Sequence, residues 1–130
     1  MKKRYIVLLA VVVIIVISIF VFRSFVRQAE EGLDQLSSLT IDTPDLQSIP
    51  DGTYEGSYEA FPVKVVAQVQ IQNQKITNVE LLEHRNGQGK PAEALTSRIV
   101  EQQSVELDVV SGATYSSMVI LKAVELALTQ

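Results

Sequence analysis

The pattern of apolar and polar positions divides the chain into three stretches. Residues 5–22 are apolar at 17 of 18 positions, with Ser18 the exception, so no face of this run is polar at any period. As an α-helix it spans roughly 27 Å, close to the ~30 Å hydrocarbon thickness of a bilayer. Residues 28–50 show no sustained period. Gly32, Ser37, Ser38, Thr43, Pro44, Ser48 and Pro50 interrupt an acidic stretch, which reads as a tether. Leu33, Leu36 and Leu39 recur every three residues and allow one short amphipathic turn against a membrane surface. The alternative is a loosely ordered spacer, which as a flexible coil would hold the following domain about 25–30 Å from the membrane.

Regular patterning resumes at the Asp51-Gly52 turn signal. Residues 53–60 can begin a strand. Over 63–71 the alternation is clean: Val63, Val65, Ala67, Val69 and Ile71 share one face, and Lys64, Gln68 and Gln70 the other, with Val66 off pattern. Asn73-Gln74-Lys75 turns the chain into a second strand over 76–83, and the pair predicts an antiparallel hairpin. After the loop from Arg85 to Lys90, Pro91 suits a first helical turn. Ala92, Leu95, Ile99 and Val100 then give an amphipathic helix over 91–103. Residues 105–110 read as a short strand or an extended approach, Ser111 to Thr114 as a turn, and 115–128 as a final helix. Its polar stripe is confined to Lys122, Glu125 and Thr129. The expected fold is α+β: one N-terminal transmembrane helix, then a small domain with an antiparallel sheet packed by two helices. The expected divisions are an anchor over 1–27, a linker over 28–50 and a domain over 51–130.

Charge sharpens this division. Residues 1–27 hold five basic side chains and no acidic one, while the remainder holds six basic and all fifteen acidic groups, a net of −9. An acidic domain repels phosphate backbones, so nucleic-acid binding is not expected. With no cysteine, disulfide frameworks, Cys-ligated metals and lipoprotein anchors are excluded. The apolar run is longer than a signal-peptide core and lacks an A-x-A-like cleavage site, which favours a retained anchor over a cleaved signal. Lys2, Lys3 and Arg4 precede the run, and Arg23 and Arg27 follow it. That asymmetry favours a cytoplasmic N-terminus and an extracytoplasmic domain in the cytoplasmic membrane.

Conventional catalytic sets are missing. His84 is the one histidine, and no Walker or dinucleotide fingerprint occurs. A Ser-His-Asp triad has no G-x-S-x-G elbow to support it. By itself His84 reads as a loop or surface residue. The informative stretch is 108–117, Asp-Val-Val-Ser-Gly-Ala-Thr-Tyr-Ser-Ser, in which an extended segment and a small-residue turn lead into a helix dense in hydroxyls. Two readings stand. Thr114 or Ser116 could simply cap the helix. Alternatively, the first-turn N–H groups and the positive end of the helix dipole could bind an anion, with Gly112 and Ala113 allowing close approach.

The Gly-Thr-Tyr-Glu-Gly start after Asp51, the alternating strand, Asn73 to Ile76, His84 with its Gly loop, and Asp108-x-x-Ser-Gly-Ala-Thr114 together resemble the FMN-binding domain family. That family includes the flavin-carrying C subunit of the sodium-pumping NADH:quinone oxidoreductase and the G subunit of its ferredoxin-linked relative. It also includes many small membrane-anchored bacterial proteins. The resemblance implies FMN joined through its phosphate to Thr114 by a dedicated flavin transferase. Ser111, Gly112 and Ala113 would form the turn that presents the hydroxyl, and Asp108 would serve transferase recognition. Tyr115, Ser116 and His84 would belong to the cofactor site, with Arg85 or Lys90 close to the ring. Tyr58 to Pro62 stands where many members carry a Gly-rich connection. The implied role is an electron-transfer relay between a membrane redox partner, quinone-linked or otherwise, and an extracytoplasmic acceptor. The alternatives are a flavin-dependent reductase or dehydrogenase with its own small substrate, and a flavin-free anchored binding module.

Overall fold

The computed structural model describes residues 1–85 and 89–130. Helix α1 (Lys2–Ser37) is followed by strands β1 (Gly52–Ala60), β2 (Val63–Gln72) and β3 (Lys75–Arg85), then helices α2 (Leu95–Gln102) and α3 (Thr114–Leu128). Short 3₁₀ turns occupy Leu46–Ser48 and Lys90–Ala94. The strands form one antiparallel sheet in the order β1-β2-β3. Gln72 pairs with Lys75 across a two-residue turn, in which Asn73 and Gln74 take the left-handed φ values of 51° and 63° that a tight hairpin uses. The fold is therefore the expected α+β arrangement, an antiparallel sheet packed by helices.

Alternation along β2 sets the core. Val63, Val65, Ala67, Val69 and Ile71 are buried on one face, joined by Ile76 and Val79 of β3, Leu95 and Ile99 of α2, and most of α3. The other face of the sheet is half-buried or exposed, as an antiparallel sheet permits. Gly56 of β1 lets the sheet meet α3 backbone to backbone, since a Cβ there would fall on the Ala123 carbonyl and the Ala127 amide. Gln103, left-handed at φ 54° after α2, stitches that helix to β3. Its side chain accepts from the Ile76 N–H and donates to the Ile76 C=O, both at 2.8 Å.

Three expectations change. Pro91 opens a 3₁₀ turn rather than α-helix, and α2 proper begins at Leu95. Residues 105–110 form no strand. The stretch 28–50 is not a loose spacer. Its first part continues α1 to Ser37, because residues 23–37 contain many good helix formers and no proline. Leu36 enters the domain core while Leu33 stays outside.

Residues 39–50 then lie along the domain as a strap, with Ile41, Leu46 and Ile49 packed on the core. The Thr43 hydroxyl accepts from the Val105 N–H at 3.1 Å and lies 2.9 Å from the Ser104 hydroxyl. The Thr43 N–H donates to Glu106 at 2.9 Å. Glu125, expected on a polar stripe, is covered by this strap. It is 9% exposed, bonds Lys122 at 2.6 Å and accepts from the Asp42 N–H.

α1 is the one helix among the described residues long and apolar enough to cross a membrane. Its apolar side chains from Tyr5 to Phe22 are exposed.

Candidate functional site

The segment leading into α3 is held by its own hydroxyl chemistry. The Ala113 N–H donates to the Val110 C=O at 2.9 Å, closing a turn in which Gly112 is the third residue. Gly112 has φ +79°, the value a type II turn requires there and one that favours glycine. The Ser117 hydroxyl donates to the Ala113 C=O at 2.7 Å and accepts from the Val110 N–H at 2.9 Å, so it clamps the turn to the helix. Ser117 is fully buried. It stands among the apolar residues of the buried face of α3, and a serine at such a position was the sequence signal for a bonded core hydroxyl.

The two readings of the α3 N-terminus now separate. Thr114 is the first helical residue, and Ala113 is the N-cap with no side-chain hydrogen bond. Neither Thr114 nor Ser116 caps the helix. Among the described residues no hydrogen bond engages the N–H groups of Thr114, Tyr115 or Ser116, and the first turn carries no acidic residue. Thr114, Ser111 and Gly112 are exposed, while Ala113 and Ser116 are buried. A Cβ built on Gly112 would meet nothing within 4 Å, so the space above the turn is open. Asp108 is exposed, and its backbone C=O accepts from Arg98 at 3.4 Å. A phosphate group fits this donor set: unengaged amides, a positive dipole end, an exposed hydroxyl and no competing carboxylate in the turn.

Tyr115 is tied to the β1–β2 turn. Its hydroxyl donates to the Phe61 C=O at 2.5 Å, and burial, then the neighbouring Tyr58, pushes its pKa up. His84 is neither on a loop nor at the surface. It lies on β3 opposite Val65, its side chain is 4% exposed, and Nδ1 is 2.9 Å from Glu93 Oε1. An ionised carboxylate only accepts, so Nδ1 carries the proton. That hydrogen bond holds Glu93 below the ordinary carboxylate range against the opposing effect of burial, with the charge of Lys90 adding a lesser pull downward. Glu93, which the sequence did not single out, sits on the 3₁₀ turn that packs against α3.

The pairing Ala60 to Val63 and Val65 to His84 puts the β1–β2 turn and His84 at one end of the sheet, the end that Tyr115 touches through Phe61. The structure thus gathers the 108–117 segment and His84 at one end of the domain. Of the loop cations, Arg85 pairs with Glu59 at 2.6 Å and Lys90 with Glu93 at 3.4 Å. Asn86, Gly87 and Gln88 lie outside the described residues. No group of His and acidic side chains able to hold a metal occurs among the described residues.

No curated protein matches the chain. A family model described as FMN-binding domain matches residues 60–129, just over half of the chain and all of the site described above. The exposed hydroxyl and open first turn of α3 suit the phosphate of that flavin, and the chain belongs to the FMN-binding domain family, a flavin-binding protein with FMN as its cofactor.

Proposed function

We propose that this protein is a membrane-anchored flavoprotein that carries FMN on Thr114 and relays electrons on the outer side of the cytoplasmic membrane. The observation that carries the reading is the uncapped first turn of α3, with the Thr114 hydroxyl exposed beside open space over Gly112. Thr114 Oγ1 would form an ester bond to the flavin phosphorus and lose its proton, while the phosphoanhydride bond of an activated flavin nucleotide held by a flavin transferase breaks and its nucleoside monophosphate leaves. A diester keeps one negative charge, and the amides of residues 114–116 are the donors available to it.

Each remaining residue has a definable part. Gly112 permits the turn that presents Thr114, and Ser117 locks that turn. Asp108, exposed ahead of the turn, is available to a transferase. His84 holds a proton on Nδ1 through Glu93 and fixes that end of β3. Bound FMN supplies one- and two-electron redox chemistry, while the protein orients it and sets its surroundings. The expected partners are a transferase, a membrane redox donor such as a quinol, and an acceptor outside the membrane. The three basic residues before the apolar run and two after it support that sidedness.

The test is Thr114→Ala, co-expressed with a flavin transferase. The variant is expected to show no in-gel flavin fluorescence, and its intact mass to lack the increment of one FMN less one water that the wild type carries. Covalent flavin persisting in the variant overturns the assignment.

A further inference from the structure

The contacts of α1 and the strap with the domain follow a single order along the chain. Phe25 stacks edge-on against Phe61, with ring centroids 5.3 Å apart. Two turns further on, Gly32 is buried, and a Cβ there would fall on the Tyr115 hydroxyl and, at 2.5 Å, on the Phe61 carbonyl. Leu36 enters the core. The Thr40 C=O accepts from Lys122 at 3.2 Å, and the Asp42 N–H donates to Glu125 at 3.4 Å. As the chain proceeds from 32 to 42, its partners on α3 proceed from 115 to 125. The N-terminus of α3 therefore points the same way as the N-terminus of α1, towards the apolar run.

Distances along the helix fix the consequence. α1 is unbroken from Lys2 to Ser37, so Phe25 lies about 5 Å and Gly32 about 15 Å beyond Phe22 at 1.5 Å per residue. The headgroup layer on each side of a bilayer is roughly 5–7 Å deep. Arg23, Phe25 and the Phe61 ring packed on it thus fall at headgroup level, where aromatic and snorkelling cationic side chains are favoured, while the Phe61 backbone, seated against Gly32, stands about 8–10 Å above that layer. The opposite hairpin turn lies some ten residues of β2 away, about 33 Å at strand rise.

We infer that the docked segment of α1 holds the domain upright, with the Phe61 ring at the lipid headgroups and the Phe61-Pro62 turn and the α3 N-terminus facing them from just above. Gly32 is the notch that permits this seating. The partner of this face is the bilayer surface itself. A flavin on Thr114 is then fixed near the membrane plane rather than carried on a swinging tether, and a redox carrier held in that plane reaches it directly. The inference rests on reading α1 as a retained anchor.

The chain has no cysteine, so single labelling sites are unique. Full-length protein in phospholipid vesicles would carry a fluorophore at Pro62→Cys or at Gln72→Cys, with a nitroxide quencher on the lipid headgroup. The expected result is several-fold stronger quenching at position 62 than at 72. Adding Gly32→Ile, which cannot seat against Tyr115, should collapse that ratio while the unfolding transition of the domain persists. Equal quenching at 62 and 72 in a full-length, membrane-bound chain overturns this inference alone. An intact mass showing that residues 1–22 have been removed overturns the anchor reading and this inference with it.

Discussion

The two ends of α3 are built on opposite terms. At its C-terminal end, Gly56 brings β1 against the backbone of Ala123 and Ala127, and Val124, Ala127 and Leu128 are buried. At its N-terminal end, Thr114 is exposed, the first-turn amides have no partner among the described residues, and Gly112 faces open space. Both ends use glycine, for different physical reasons: Gly56 removes a side chain to permit contact, whereas Gly112 supplies a left-handed φ and makes none. Stability is concentrated where backbone meets backbone. The end proposed to hold the flavin leaves donors unmet among the described residues, which a bound phosphate could satisfy without first breaking protein contacts.

Breaking the packed end should give the largest effect. Gly56→Ala adds one methyl between two backbones that cannot yield cheaply, and overpacking of this kind costs about 2–3 kcal/mol. The urea midpoint of the full chain in detergent is expected to fall accordingly; an unchanged midpoint would show that β1 and α3 are not in close contact. Gly112→Ala tests the other glycine. Space is available for its methyl, so the cost is backbone strain alone, about 1 kcal/mol. Flavin loading should fall by more than that loss of stability implies, because the turn presenting Thr114 is what the strain distorts. Thr114→Ala should move the midpoint by less than about 0.5 kcal/mol, since an exposed hydroxyl outside any packing feature holds little of the fold.

What the sequence made legible follows the same division. The alternation at 63–71 placed β2 to within a residue, because a sheet with one buried face writes its period into the chain. The 108–114 segment was legible because its turn, hydroxyls and helix start are contiguous. Its neighbours were not. His84 is buried through Glu93, a partner nine residues away whose role depends on a 3₁₀ turn that the Pro91 signal did not distinguish from α-helix. Glu125 looked solvated until the strap covered it. Gly32 read as a linker residue, since its reason lies in Tyr115 and Phe61, far along the chain. Local patterns carry local structure, whereas a close approach between distant segments leaves no period to read.

An effect below that of either glycine substitution concerns the ion pair at the proposed flavin end. The His84 N–H holds Glu93 ionised in the folded protein more readily than in the unfolded chain, so folding releases protons as this group titrates. The contribution is fully present above the ordinary glutamate value near 4.5 and is lost as pH falls through the lower folded value. The Glu93 side chain is 37% exposed, so solvent screening keeps the contribution below about 1 kcal/mol. Glu93→Gln keeps the shape and an acceptor oxygen but cannot ionise. Urea midpoints of wild type and variant, compared between about pH 7 and about pH 3.5, isolate this one carboxylate from the other acids. The wild type should lose slightly more stability on acidification than the variant. Parallel acid slopes would mean that Glu93 feels no partner in solution, and the flavin end would then be held by the Ser117 clamp and the Tyr115 bond without help from β3.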